Sequence, residues 1–240
     1  MSEKIIRILH LYSNDMNIYG DRGNILAIKR RLQWYGYDPE VIEYNPGDKF
    51  PENIDIIIGG GGQDSGQNKI QKDLLAIGPR LIKLADTGTP MLVICGLYQL
   101  FGKFFKTSSG EIIEGIGLLD IETFGKSERL IGNIITHSEE FGDIIGYENH
   151  SGQTFLGPDV KTLGLVRLGA GNNTADVSEG ARYNNVIGSY LHGSLLPKNP
   201  SIADFLIKTA VINKYGKFKP TNIDNLFTDL ARQTALKRPR

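Results

Sequence analysis

The sequence predicts an α/β fold: a mostly parallel central sheet flanked by helices, with an additional antiparallel β portion. Three observations predict it. The first half alternates short β-branched runs with amphipathic helical patterns, the signature of βαβ units. The second half changes to short runs separated by Gly, Asn and Ser, the pattern of antiparallel strands. Finally, a glycine run and a lone cysteine each end a predicted strand, as expected at the carboxyl edge of an open sheet where ligands gather.

The elements follow in order. Residues 5–11 are apolar and β-branched and predict a strand. Over 24–35, Ile25, Ile28, Leu32 and Tyr35 share one helical face, with Asp21 available as an N-terminal cap. Residues 41–44 and 54–58 predict the next two strands, the latter ending abruptly at Gly59. A helix over 70–85 presents Leu74, Ile77, Leu81 and Leu84, and Gly78-Pro79 predicts a break near Gly78. Residues 91–94 form a fourth strand ending at Cys95, and 97–104 read as a short helix. Runs 112–116, 118–121, 131–136 and 163–168 supply the antiparallel portion. The chain returns to a strand at 186–191 and a helix at 202–213 that packs through Ile202, Phe205, Leu206 and Ala210. Residues 1–215 are read as one domain and 216–240 as a C-terminal extension. Its basic end, Arg232 and residues 237–240, is either a solvated tail or a partner contact.

Composition removes several function classes. Lys plus Arg (27) equal Asp plus Glu (27), so no net field favours nucleic acid or an anionic membrane. The N-terminus lacks the pattern of a signal peptide, and no apolar run approaches the ~20 residues that span a bilayer. The expectation is a cytoplasmic protein without membrane insertion. One cysteine can form no internal disulfide and no multi-thiolate zinc site, so the thiol is structural or reactive.

Cys95 lies between the apolar run 91–94 and Gly96, a strand–nucleophile–helix order. Such a turn lifts a side chain off the end of a sheet toward a helix N-terminus that favours thiolate. A lone cysteine after an apolar strand is more often a buried core thiol, so its surroundings must decide. Gly59-Gly60-Gly61-Gly62 ends the neighbouring predicted strand and lets backbone N–H groups approach a reacting atom; with the amide after Cys95 it could form an oxyanion hole. A plain flexible turn is the competing reading. No Gly-Lys-Ser/Thr follows, so it is not a Walker loop. Of four histidines, His192 follows the predicted strand 186–191, where an α/β cysteine hydrolase holds its base. His10 falls within an apolar strand and His137 in a polar turn; His150 reads as structural or cleft-lining.

These segments resemble the class I glutamine amidotransferases, a flavodoxin-like fold, and within them the CobB/CobQ-like branch. Ile94-Cys95-Gly96-Leu97-Tyr98-Gln99-Leu100 resembles its nucleophile segment. Gly146-Tyr147-Glu148-Asn149-His150-Ser151-Gly152-Gln153-Thr154 and Gly188-Ser189-Tyr190-Leu191-His192-Gly193 resemble its two histidine segments. Residues 17–24, Gly60-Gly61-Gly62-Gln63-Asp64, Gly171-Asn172-Asn173 and 195–199 are similar to the GatD-type glutaminase subunits of lipid II isoglutaminyl synthase. The resemblance implies that Cys95 is the nucleophile and His192 the general base and later acid. It also implies that Arg129 holds the substrate L-glutamine, with Gln99, Gly61, Gly62 and Gly96 as further substrate contacts. It implies no cofactor or metal on this chain, since ATP and Mg belong to a MurT-type Mur-ligase-like partner that forms a heterodimer and binds lipid II.

Three departures stand out. His192-Gly193-Ser194 occupies the place of the usual His-Pro-Glu, so the third carboxylate of the triad is missing there, and an imidazole without an orienting group is a weaker base. The expectation drawn from this is that the partner supplies the carboxylate. Leu97 replaces the second glycine of Cys-Gly-Gly, and Ser65-Gly66 replace charged residues. Two other functions remain open: a glutaminase serving another amidation, such as that of a cobalamin precursor, and a catalytically silent regulatory subunit.

Overall fold

In the computed structural model, which describes residues 4–192 and 194–239, the chain forms two sheets and six helices among those residues. Its elements are β1 (Ile5–Leu11), α1 (Arg22–Trp34), β2 (Asp38–Tyr44), β3 (Ile56–Gly59), α2 (Asp64–Asp86), β4 (Met91–Ile94) and α3 (Gly96–Phe101). There follow β5 (Phe104–Lys106), β6 (Ile112–Glu114), β7 (Ile121–Ser138), β8 (Gly142–Leu156), β9 (Gly164–Leu168), β10 (Ser178–Glu179), β11 (Ala181–Tyr183) and β12 (Val186–Ser189). The chain closes with α4 (Leu195–Lys198), α5 (Pro200–Tyr215) and α6 (Leu226–Leu236).

The first sheet has the order β11-β12-β4-β3-β1-β2 and is parallel except for β11 at its edge. Strands β3, β4 and β12 are buried at every residue, which is why they read as continuous apolar runs rather than alternating ones. Their parallel register, with Gly59 beside Val93 and Ile94 beside Ser189, brings the chain segments leaving β3, β4 and β12 to one edge. The second sheet, β10-β9-β7-β5-β6 with β8 on β7, is antiparallel apart from the β5–β7 pair. The predicted fold class is therefore the observed one.

Several boundaries differ from expectation. Helix α2 runs unbroken through Gly78-Pro79. Gly78 is buried against Ile116, while Pro79 and Leu75 are exposed, so the carbonyl that loses its N–H partner to proline lies on the wet side of the helix. The helix expected over 97–104 stops at Phe101, because Phe104 enters β5. No strand forms over 118–121; Leu118 and Leu119 instead plug the core, and β7 begins at Ile121. The expected short run at 131–136 belongs to this 18-residue strand, paired with the 15-residue β8. His137 lies at the end of β7 rather than in a turn and meets Asp143 at 2.8 Å.

Residues 216–239 pack back against the preceding chain. Phe218 packs edge-on against Tyr35, and Asn225 accepts a hydrogen bond from Arg31, whose guanidinium also grips Asp204 through two 2.7 Å bonds. Arg232 on α6 is not a solvated tail residue. Its guanidinium donates to the carbonyls of Asp143 and Lys198 and to Asn199 Oδ1, satisfying groups that surround the start of α5.

Candidate active site

Cys95 joins β4 to α3 with φ 50° and ψ −105°, a conformation that an L-residue adopts only under constraint. The constraint is visible. Cys95 N–H donates to Ser189 O on neighbouring β12 at 2.9 Å, and Cys95 O accepts from Gln99 N at 2.9 Å. The free thiol is thereby held at the sheet edge, 6% exposed, at the head of α3.

His192 leaves β12 beside it and is clamped to β8 by a pair of backbone bonds with Tyr147, of 2.7 and 3.3 Å. The Tyr19 ring meets the imidazole edge-on at 4.5 Å. Gly61 flanks the two candidate catalytic residues: a Cβ there would stand 2.7 Å from His192 Cε1 and 3.0 Å from Cys95 Cβ. Only glycine fits against both the thiol-bearing residue and the imidazole. Gly96 is equally confined, by Met16 Cε at 2.8 Å and Gly62 N at 3.0 Å.

Beyond the thiol opens a pocket of about 360 Å³ whose lining includes Cys95, Gln99, Gly62, Arg129, Asn149 and His150. A bulge places the arginine: the β7–β8 register jumps between Gly125 and Leu130, so residues 126–129 loop out over the pocket mouth. Arg129 is steadied there by Nε donating to Asn149 Oδ1 (2.6 Å) and Nη2 to Tyr19 OH (2.9 Å). Gln99 lies on the floor with both ends of its amide engaged: Oε1 accepts from Gln67 (2.5 Å) and Nε2 donates to Tyr190 OH (3.1 Å). The floor is thus a fixed hydrogen-bonded surface rather than a set of free side-chain donors.

The two histidines of the site, both buried, have opposite electrostatics. His150 stacks flat on Tyr190, with centroids 3.6 Å apart, and bonds through Nδ1 to Gly152 O; burial pushes it down to about 3, so it lines the pocket as a neutral ring. At His192 burial also disfavours the charged ring, but the adjoining Cys95 sulfur and the Asp21 carboxylate outweigh it and raise the imidazole to about 10. A cysteine beside an imidazole whose charged form is favoured is a setting in which a thiol can serve as a nucleophile.

The sequence pattern assigned Asp21 to a helix cap. Its backbone does precede α1, but the side chain makes no cap; it turns inward, 2% exposed. Oδ2 accepts the Gly61 N–H at 2.8 Å, and Oδ1 lies 3.7 Å from His192 Nδ1. Two consequences follow. The Gly61 amide is committed to Asp21, which leaves the Gly62 and Gly96 amides as the donors that could meet an oxyanion. A carboxylate also stands beside the imidazole without help from another chain. Asp21, Tyr19 and Asn149 were not singled out as site residues from sequence, although the first two belong to the segment 17–24 that the resemblance had marked.

Residues 7–200 match the model of the CobB/CobQ-like glutamine amidotransferase domain. The chain is 41% identical to the lipid II isoglutaminyl synthase (glutamine-hydrolyzing) subunit GatD of Staphylococcus aureus, over 97% of this chain and 96% of that one. It is 42% identical to the subunit of the same name from Streptococcus pneumoniae, over 88% and 83%. Among solved structures, a glutamine amidotransferase from Thermotoga maritima superimposes with a TM-score of 0.53 over 96% of this chain and 90% of that one; at 15% identity it attests the fold alone.

Proposed function

The chain belongs to the CobB/CobQ-like glutamine amidotransferase family, and from that premise we propose that it is the glutaminase subunit of a lipid II isoglutaminyl synthase. It hydrolyses L-glutamine to glutamate and ammonia, and the ammonia passes to a cytoplasmic MurT-type, Mur-ligase-like partner. That partner holds ATP, Mg and lipid II and amidates D-glutamate of the stem peptide. The observation that carries this reading is the constrained Cys95 beside His192, with Gly61 packed against both, in a pocket that Arg129 also lines.

The geometry supports a two-step course. Arg129 receives the α-carboxylate of glutamine through its forked guanidinium, which directs the side-chain carboxamide down toward Cys95. The thiolate attacks the carboxamide carbon, and the Gly62 and Gly96 amides stabilise the oxyanion. His192, as imidazolium, gives its proton to the leaving nitrogen, and ammonia departs. The neutral ring then takes a proton from water, which cleaves the γ-glutamyl thioester and returns glutamate and the thiolate.

The test is Cys95→Ala in the complex with the Mur-ligase-like partner. Amidation of lipid II from glutamine is expected to vanish while amidation from added ammonium persists. Retention of the glutamine-dependent rate would overturn the assignment of the nucleophile, and loss of both rates would overturn the division of labour.

A further inference from the structure

We propose that Asp21 is the positioning carboxylate of His192, supplied in cis from the loop between β1 and α1. The proposal rests on the glutaminase reading and replaces the expectation that a partner must provide this group.

The observations are geometric. Asp21 Oδ1 and His192 Nδ1 are both buried, both lack a hydrogen-bond partner among the described residues, and face one another at 3.7 Å. Closing that gap by about 0.5 Å brings them within N–H···O range. The carboxylate is not there as a helix cap: it occupies the N-cap position of α1 without capping it. Its other oxygen is fixed by Gly61 N–H, so the carboxylate is oriented by the same glycine that packs against both Cys95 and His192.

The surroundings are shaped to admit it. A Cβ on Gly60 would come within 2.7 Å of Asp21 Cβ, so the strand leaving β3 needs glycine for the carboxylate to enter. The loop is moored by the residue that stands where the missing carboxylate was expected: Ser194 Oγ donates to Gly20 O at 2.8 Å. Gly23 lies hard against the same hydroxyl, which a Cβ there would overlap. Position 194 therefore serves the triad at one remove, by holding the backbone that precedes Asp21. The ionisable groups around His192 are Cys95, Asp21, His150 and Tyr19, with Lys198 Nζ on its carbonyl oxygen at 3.3 Å. Asp21 is the carboxylate among them.

Asp21→Asn is the informative change. Its oxygen can still accept from Gly61 N–H, but its NH2 then meets Nδ1 and favours the wrong tautomer of His192. In the complex with the partner and ATP, kcat for glutamine-dependent amidation is expected to fall about 10²–10⁴-fold. KM for glutamine should stay within about threefold, and ammonium-dependent amidation should be unchanged. The alkaline limb of the kcat/KM–pH profile should move toward the ordinary histidine range, and Asp21→Glu should restore part of the rate. Should Asp21→Asn fail to fold, Ser194→Ala, which only unties the loop, should shift the same alkaline limb with a roughly tenfold smaller loss of kcat. An unaltered pH profile and kcat in the folded variant, with Cys95→Ala inactive on glutamine, would overturn the role of Asp21 and leave the glutaminase reading intact. Full glutamine-dependent activity of Cys95→Ala would overturn that reading itself.

Discussion

Replacing Gly61 by alanine tests the closeness of nucleophile and base without removing a functional group. The Gly61 φ lies outside the left-handed region, so alanine meets no backbone penalty, and the amide that binds Asp21 is retained. What changes is one methyl group. It would sit 2.7 Å from His192 Cε1 and 3.0 Å from Cys95 Cβ, against a comfortable carbon–carbon separation of about 3.5–4.0 Å. The imidazole must therefore retreat by about 0.8–1.3 Å, or the elbow must shift by about 0.5–1.0 Å. A displacement near 1 Å costs about 10²-fold in a positioned reaction, or roughly 2.7 kcal/mol of barrier. Overpacking of this buried site costs about 1–3 kcal/mol of stability. The assay is the rate of ammonia release at saturating glutamine by the complex, with a thermal melt in parallel. A variant that melts like the parent and keeps its rate within about threefold would refute the claim that Gly61 sets the Cys95–His192 geometry.

Two further outcomes follow from the same site and core. Arg129→Ala should raise KM for glutamine about 10–100-fold, the value of a lost charge-assisted pair, while kcat moves little; an unchanged KM in rate-versus-glutamine titrations would remove Arg129 from the substrate. Burial raises the fully enclosed Glu179 from its ordinary 4.5 to about 7. The folded state then holds a proton that the unfolded chain releases, so stability falls as pH rises from about 4.5 to 7, by roughly 3 kcal/mol from this group. Glu179→Gln should flatten that dependence, read as a smaller difference between the pH 5 and pH 8 melting curves than the parent shows.

The parallel half of the fold was legible because its strands are buried on both faces and its helices carry apolar residues at helical spacing. The antiparallel half was legible in kind, with β6, β7 and β9 falling on runs read as strands, but not in strand length. Strands β7 and β8 are interrupted by the polar bulge 126–129, which breaks alternation where Arg129 must be lifted over the pocket. The break expected at Gly78-Pro79 was overridden by packing of Ile77, Gly78 and Leu81. Cys95, Gly61, Gly62 and His192 could be brought together from sequence because each ends or follows an adjacent parallel strand. Asp21 could not. Local pattern makes an aspartate before a helix a cap, and only the β1–β3 pairing, which sets the loop after Leu11 beside Gly59, reveals that it points into the sheet edge instead.

The backbone of Cys95 has an implication for the history of such chains. A cysteine at φ 50° and ψ −105° stores about 1–3 kcal/mol that glycine would release. The molecule tolerates this tension because Ser189 and Gln99 tie the turn from both sides. A descendant freed from chemistry would gain stability by the simplest substitution at that position, so a side chain retained there is a thermodynamic signature of use. At position 95 folding alone would have favoured glycine.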